Sequence, residues 1–147
     1  MATRRKEITN RLVELIKQID GTAPYATNLF ENVYNRAMFM DEIKDYPTVC
    51  VWPSAESRQY LPGDFQWAFL GVNIRIYIES GNPVEDLENA FVDIENLLDQ
   101  NNTLMMEDGQ HLCTDIRVLS ISDDEGLFMD QGYSIGEMSL QIQYSIE

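Results

Sequence analysis

The sequence predicts an α+β fold: a mixed, mostly antiparallel sheet with two main helices packed on one face, in a single domain over residues 1–147. Three observations predict it. Two segments, 5–20 and 83–98, repeat apolar residues at helical spacing. Two others, 70–79 and 137–146, alternate apolar and polar residues with a period of two. The order helix, strands, helix, strands runs without internal repeat or linker.

The first helix carries Ile8, Leu12, Leu15, Ile16 and Ile19 on one stripe, with Gly21 as its stop before Pro24. Its opening turn holds Arg4, Arg5 and Lys6, the wrong sign for the positive end of a helix dipole. Residues 28–34, "NLFENVY", fit a short strand, and "NRAMFMDEI" a turn or short helix. In "YPTVCVWP", Val49 to Trp52 are β-rich and closed at each end by Pro47 and Pro53, which predicts a strand of about four to six residues.

Residues 54–66, "SAESRQYLPGDFQ", are polar with a Pro-Gly turn and predict an extended hairpin arm. In the strand beyond it, Leu70, Val72, Ile74, Ile76 and Ile78 face the core and Gly71, Asn73, Arg75, Tyr77 and Glu79 face water. The second helix has Asn82 as cap, Pro83 at its first position and Glu85 placed for a capping box. Leu87, Ala90, Phe91, Ile94, Leu97 and Leu98 form its buried stripe, leaving Glu85, Asp86, Glu88, Asp93, Glu95 and Asp99 on a solvated face. "TDIRVLSIS" reads as a strand and "DDEGLFMDQG" as a turn-rich connection. A last strand turns Met138, Leu140, Ile142, Tyr144 and Ile146 to one side.

At 147 residues, 44% hydrophobic and 10% aromatic, the chain is a folded domain and not an acidic disordered tail. Its net charge of -15 is lopsided: residues 76–147 hold sixteen acidic side chains and one basic one, Arg117. Such a surface disfavours nucleic acid and anionic membranes, which need Lys and Arg to displace counterions. The chain lacks an apolar run of the ~20 residues that span a bilayer, and its basic start has no signal-like apolar stretch, so a soluble, unexported protein is expected.

Catalytic fingerprints are missing. His111 is the sole histidine and no GxSxG surrounds a serine, so an acyl-transfer triad has no base. His111 with Cys113 makes two metal ligands, too few for zinc, and Cys50 and Cys113 read as buried reduced thiols. Asp123, Asp124 and Glu125 before Gly126 lack the alternating calcium-loop pattern. The dispersed glycines form no nucleotide fingerprint, so no catalytic residue, metal or cofactor is expected. Aromatic residues do gather around the arm: Trp52, Tyr60, Phe65, Trp67 and Phe69, the side chains enriched at protein interfaces.

The succession of amphipathic helix, "YPTVCVWP", long arm, "FLGVNIRIYIE", "PVEDLENAFVDIENLL" and "GEMSLQIQYSI" resembles the tail terminator, or tail completion, proteins of long-tailed bacteriophages. The resemblance covers nearly the whole chain as a pattern of elements. It implies a small α/β sandwich, six copies of which form a ring in the virion tail at its neck end after assembly in the host cytoplasm. That ring caps the tail tube, stops its polymerisation and meets the head-side connector, with DNA passing through unbound and no membrane involved.

On that resemblance the arm reaches toward a neighbour, with Arg58, Tyr60, Leu61, Phe65 and Trp67 as interface residues and Arg4 and Arg5 as partners for acidic surface next door. Lumen or rim candidates are Glu85, Asp86, Glu88, Asp93, Glu95, Asp123, Asp124 and Glu125, an acidic wall that repels passing DNA. Rival readings are an acidic DNA mimic that inhibits a DNA-binding protein, a neck or head-completion subunit, and a small enzyme with an acidic site.

Overall fold

A computed structural model of the chain describes residues 4–22, 25, 27–29, 32–124 and 131–146. The elements are α1 (Arg4–Ile16), β1 (Val33–Tyr34), a 3-10 turn (Met40–Glu42), β2 (Thr48–Leu61), β3 (Phe65–Glu79), α2 (Pro83–Gln100), β4 (Asp115–Asp123) and β5 (Tyr133–Ile146). The five strands form one sheet in the order β1-β2-β3-β5-β4. Among the described residues only β1 and β2 run parallel; every other neighbouring pair is antiparallel. This is the expected α+β class.

Register follows the alternation. Leu70, Val72 and Ile74 of β3 sit opposite Ile142, Leu140 and Met138 of β5, so both apolar sets point to one face. Both helices cover that face, α1 with Ile8, Leu12, Leu15 and Ile16 and α2 with Leu87, Ala90, Phe91, Ile94, Leu97 and Leu98, in one continuous core. Gly136 of β5 lets α2 approach closely: a Cβ there would lie 2.4 Å from Phe91 Cζ and 2.8 Å from Leu87 Cδ1. A larger residue at that spot would push the helix off the sheet.

The ends of the elements differ from the expectation in instructive ways. Helix α1 stops at Ile16, and tighter bonds from Gln18 to Leu15 (3.0 Å) and from Ile19 to Ile16 (3.0 Å) carry Ile19 into the core before Gly21 turns at φ 86°. At α2 the capping box does not form, because the Asn82 side chain donates to the Glu85 carboxylate and makes no bond to the helix amides; the Asn82 amide donates to Ser80 Oγ at 3.2 Å, and the Asp86 amide reaches the Asn82 carbonyl at 3.1 Å. Its far end is closed by Asn101, whose side chain donates to the Leu97 carbonyl (2.9 Å) and whose amide donates to that of Leu98 (3.2 Å).

Strand β2 is 14 residues long, not four to six, because Pro53 does not end it. β1 pairs only Val49 and Cys50, so Pro53 already lies on an open edge where its missing N–H breaks no ladder bond. An irregularity between Pro53 and Glu56 absorbs the change of path, and strand pairing then continues to Leu61 opposite Phe65. The arm is therefore a paired hairpin, turned at Gly63 (φ 84°) and Asp64 (φ 63°). The short strand expected at 28–34 shrinks to Val33 and Tyr34; Phe30 and Glu31 lie outside the described residues.

Two residues expected in water are buried. Tyr77, on the face away from the helices, packs with Met38 and Cys50 beneath the segment before β2, and its hydroxyl donates to the Met38 carbonyl at 2.6 Å. Asp93, placed with the solvated acids, is 4% exposed and accepts from the Thr27 amide (2.9 Å) and hydroxyl (2.6 Å). The loop before β1 closes over that flank of α2, and a buried carboxylate is tolerable because it is hydrogen-bonded.

Candidate assembly surfaces

The β2–β3 register sorts the arm residues onto two faces. Arg58 sits opposite Ala68 and Tyr60 opposite Gln66, on the helix side of the sheet. Leu61 faces Phe65 and Gln59 faces Trp67, which places Leu61, Phe65 and Trp67 on the far side. The five residues singled out from the sequence thus belong to one hairpin but not to one patch. Tyr60 is the most exposed of them, at 72%.

On the far side Phe65 and Trp67 meet edge to face, with ring centroids 5.1 Å apart, and Phe69 continues the row along β3. Further along, the Arg75 guanidinium stacks over Trp52 at 5.0 Å and reaches Glu137 at 3.2 Å. Period-two alternation alone puts all of these on one sheet face, a half-buried surface of aromatic and polar groups that, among the described residues, no helix covers.

The base of the arm is tied down by charge. Glu56, with a side chain 6% exposed, accepts from the Tyr144 hydroxyl and from Arg58 Nη2 at 2.9 Å, and Arg5 Nε stands 3.9 Å away. Arg5 Nη2 also donates to the Ser54 carbonyl at 2.8 Å, and Arg4 Nη1 to that of Leu112 at 3.4 Å. Both N-terminal arginines hold their own chain together. Burial, and then the carboxylate of Glu56, push the Tyr144 hydroxyl up to about 12, while the bond to Glu56 raises Arg58.

Of the acidic set, Glu85 and Glu88 are exposed on α2 and Asp86 and Glu95 are half-buried there; Asp123 and Asp124 stand at the end of β4, and Glu125 lies outside the described residues. The acid is thus divided between two elements. His111 Nδ1 lies 2.7 Å from the Thr103 hydroxyl in an exposed loop. Burial raises both thiols, that of Cys113 to about 12, which keeps them protonated. Among the described residues, no three His, Cys, Asp or Glu side chains gather as a metal site, and no helix is long and apolar enough to cross a membrane.

One feature escaped the sequence reading. On β4, the last strand of the sheet, Val118 (39%), Leu119 (61%) and Ile121 (41%) are exposed. The signal was the adjacent pair Val118-Leu119, which breaks the alternation a half-buried strand should show; the break is the irregularity between Val118 and Ser120.

These features give the chain a strand-paired arm, an aromatic sheet face and an exposed apolar sheet edge. Residues 2–147 match the family described as Bacteriophage Tail Tube Terminator Protein. The tail tube terminator protein p142 of Escherichia phage T5 is 32% identical over 151 residues, covering 95% of this chain and 92% of that protein. The chain belongs to the bacteriophage tail tube terminator family, and its role is that of a structural protein of the phage tail.

Proposed function

We propose that six copies of this chain form a ring that caps the tail tube, ends its polymerisation and makes the joint to the head-side connector at the neck end of the virion. Family membership over the whole chain carries the reading. The arm supports it: a paired hairpin braced at Glu56 and tipped by exposed Tyr60 is stiff enough to present a fixed contact to a neighbour. Phe65, Trp67 and Leu61 offer a second, different patch on the far side. A ring needs two such unlike patches.

In this reading Glu85, Asp86, Glu88 and Glu95 of α2, with Asp123 and Asp124, supply an acidic lumen or rim past which DNA travels without being held. Asp93 contributes nothing to that wall, since it is buried under Thr27. Six copies at -15 each repel one another, so magnesium or higher salt favours assembly by screening.

Negative-stain microscopy of the concentrated protein with magnesium, and then with the tail tube protein, tests the reading. Six-fold rings, or one ring at a tube end that halts growth, are expected. A chain that stays monomeric and never caps a tube overturns it. A ring map with the α2 acids on the outer surface removes the acidic-lumen assignment.

A further inference from the structure

We propose that the outer edge of β4 pairs antiparallel with the arm edge of β2 in a second copy of this chain, with Tyr60 opposite Ile121 and Arg58 opposite Asp123. The inference deepens the ring reading and rests on it. Ile116 of β4 packs against the core, but Val118 and Ile121 do not follow it. They share a face with Leu140 and Met138, which are 1% and 0% exposed, yet are themselves 39% and 41% exposed. The helix layer ends before β4 does. Leu119 adds a 61% exposed side chain at the irregularity; that irregularity and the exposed Arg117 both precede the stretch 120–123 in the stated register, which contains neither Pro nor a basic residue. Among the described residues, no strand lies beyond it.

The opposite edge of the sheet is open too. β1 shields only Val49 and Cys50, Arg5 takes the Ser54 carbonyl, and from Glu56 to Leu61 the outer side of β2 has no strand partner among the described residues. Direction and face then match without adjustment. Three antiparallel steps lead from β2 through β3 and β5 to β4, so β4 runs opposite to β2, and a second sheet laid on in continuation meets it antiparallel. Sidedness is preserved: Tyr60 and Arg58 lie on the helix side of the sheet, as do Ile121 and Asp123.

In the stated register an aromatic ring covers a β-branched side chain and a guanidinium meets a carboxylate, two favourable kinds of cross-strand pair. Gln59 and Leu61 fall opposite Ser122 and Ser120 on the other face. Because the joined edges are different, the contact is head to tail and closes into a ring when the rotation permits.

The test is a chain carrying Tyr60→Cys and Ile121→Cys, assembled with magnesium and tube protein and then oxidised. The native Cys50 and Cys113 are buried and take no part. A reductant-sensitive ladder of covalent multimers, absent from either single variant, is the expected result. Rings visible by microscopy whose chains run as monomers overturn the pairing while leaving the ring intact. No rings even from the unsubstituted chain defeat the ring reading, and the pairing with it. Should the double variant fail to fold, Ile121→Lys at this exposed position decides: an unchanged melting temperature with about tenfold more protein needed for rings supports the pairing, and unchanged assembly overturns it.

Discussion

The hydroxyl of Tyr144 donates to the carboxylate of Glu56, joining the last strand of the chain to the root of the arm. Arg58 holds the other oxygen of that carboxylate at 2.9 Å, so a buried charge is shared between β5 and β2. Tyr144→Phe removes one donor and leaves the carboxylate partly unsatisfied. The expected cost is about 1.5–3 kcal/mol, read as a lower urea midpoint at unchanged slope.

Gly136→Ala tests the closeness of α2 to the sheet. The new methyl meets the Phe91 ring and the Leu87 side chain well inside contact distance, and overpacking of this kind costs about 1–3 kcal/mol. Thermal unfolding measures it. A variant as stable as the original would mean that α2 slides freely over β5.

Asp93 and Glu88 stand five residues apart on one helix and should behave differently. Asp93→Ala strips two hydrogen bonds from Thr27 and is expected to cost about 1–3 kcal/mol. Glu88→Ala, on the exposed face, should stay within about 0.5 kcal/mol. Equal losses in chemical denaturation would contradict the burial of Asp93.

Stability should fall in alkali. The folded-state values of Cys113 and Tyr144 are raised, from 9.0 and 10.0 to about 12 in each case. Both groups therefore stay protonated in the fold, and their contribution is complete below about pH 9. It is lost as pH rises through 9 to 12 for Cys113 and 10 to 12 for Tyr144, each with a slope of about 1.4 kcal/mol per pH unit. Unfolding midpoints across that range check the slope. For the same reason a thiol reagent at neutral pH should label Cys50 and Cys113 only at the rate of unfolding.

Periodicity made most of the fold legible. Leu70 to Ile78 and Met138 to Tyr144 declared the core face of the central strands, and the stripes of α1 and α2 declared which helix sides meet it, because burial of an apolar face is a local property written at fixed spacing. The arm and its aromatic residues were equally visible as a segment. What stayed hidden depended on neighbours. Pro53 ends a strand only if another strand needs its N–H, and the short β1 does not. Asp93 looks like its solvated helix companions until Thr27 folds over it.

The α+β class, the two helix stripes, the sheet faces and the family to which the chain belongs are therefore written in the local pattern of residues. Folding in three dimensions sets the rest: the arm residues divide between two sheet faces, Arg4 and Arg5 reach carbonyls of their own chain, and β4 ends the sheet, among the described residues, beyond the reach of the helices. Strand order and exposure at an edge arise from contacts between residues far apart in the chain, and the spacing of residues along one strand carries no record of which neighbour it lacks.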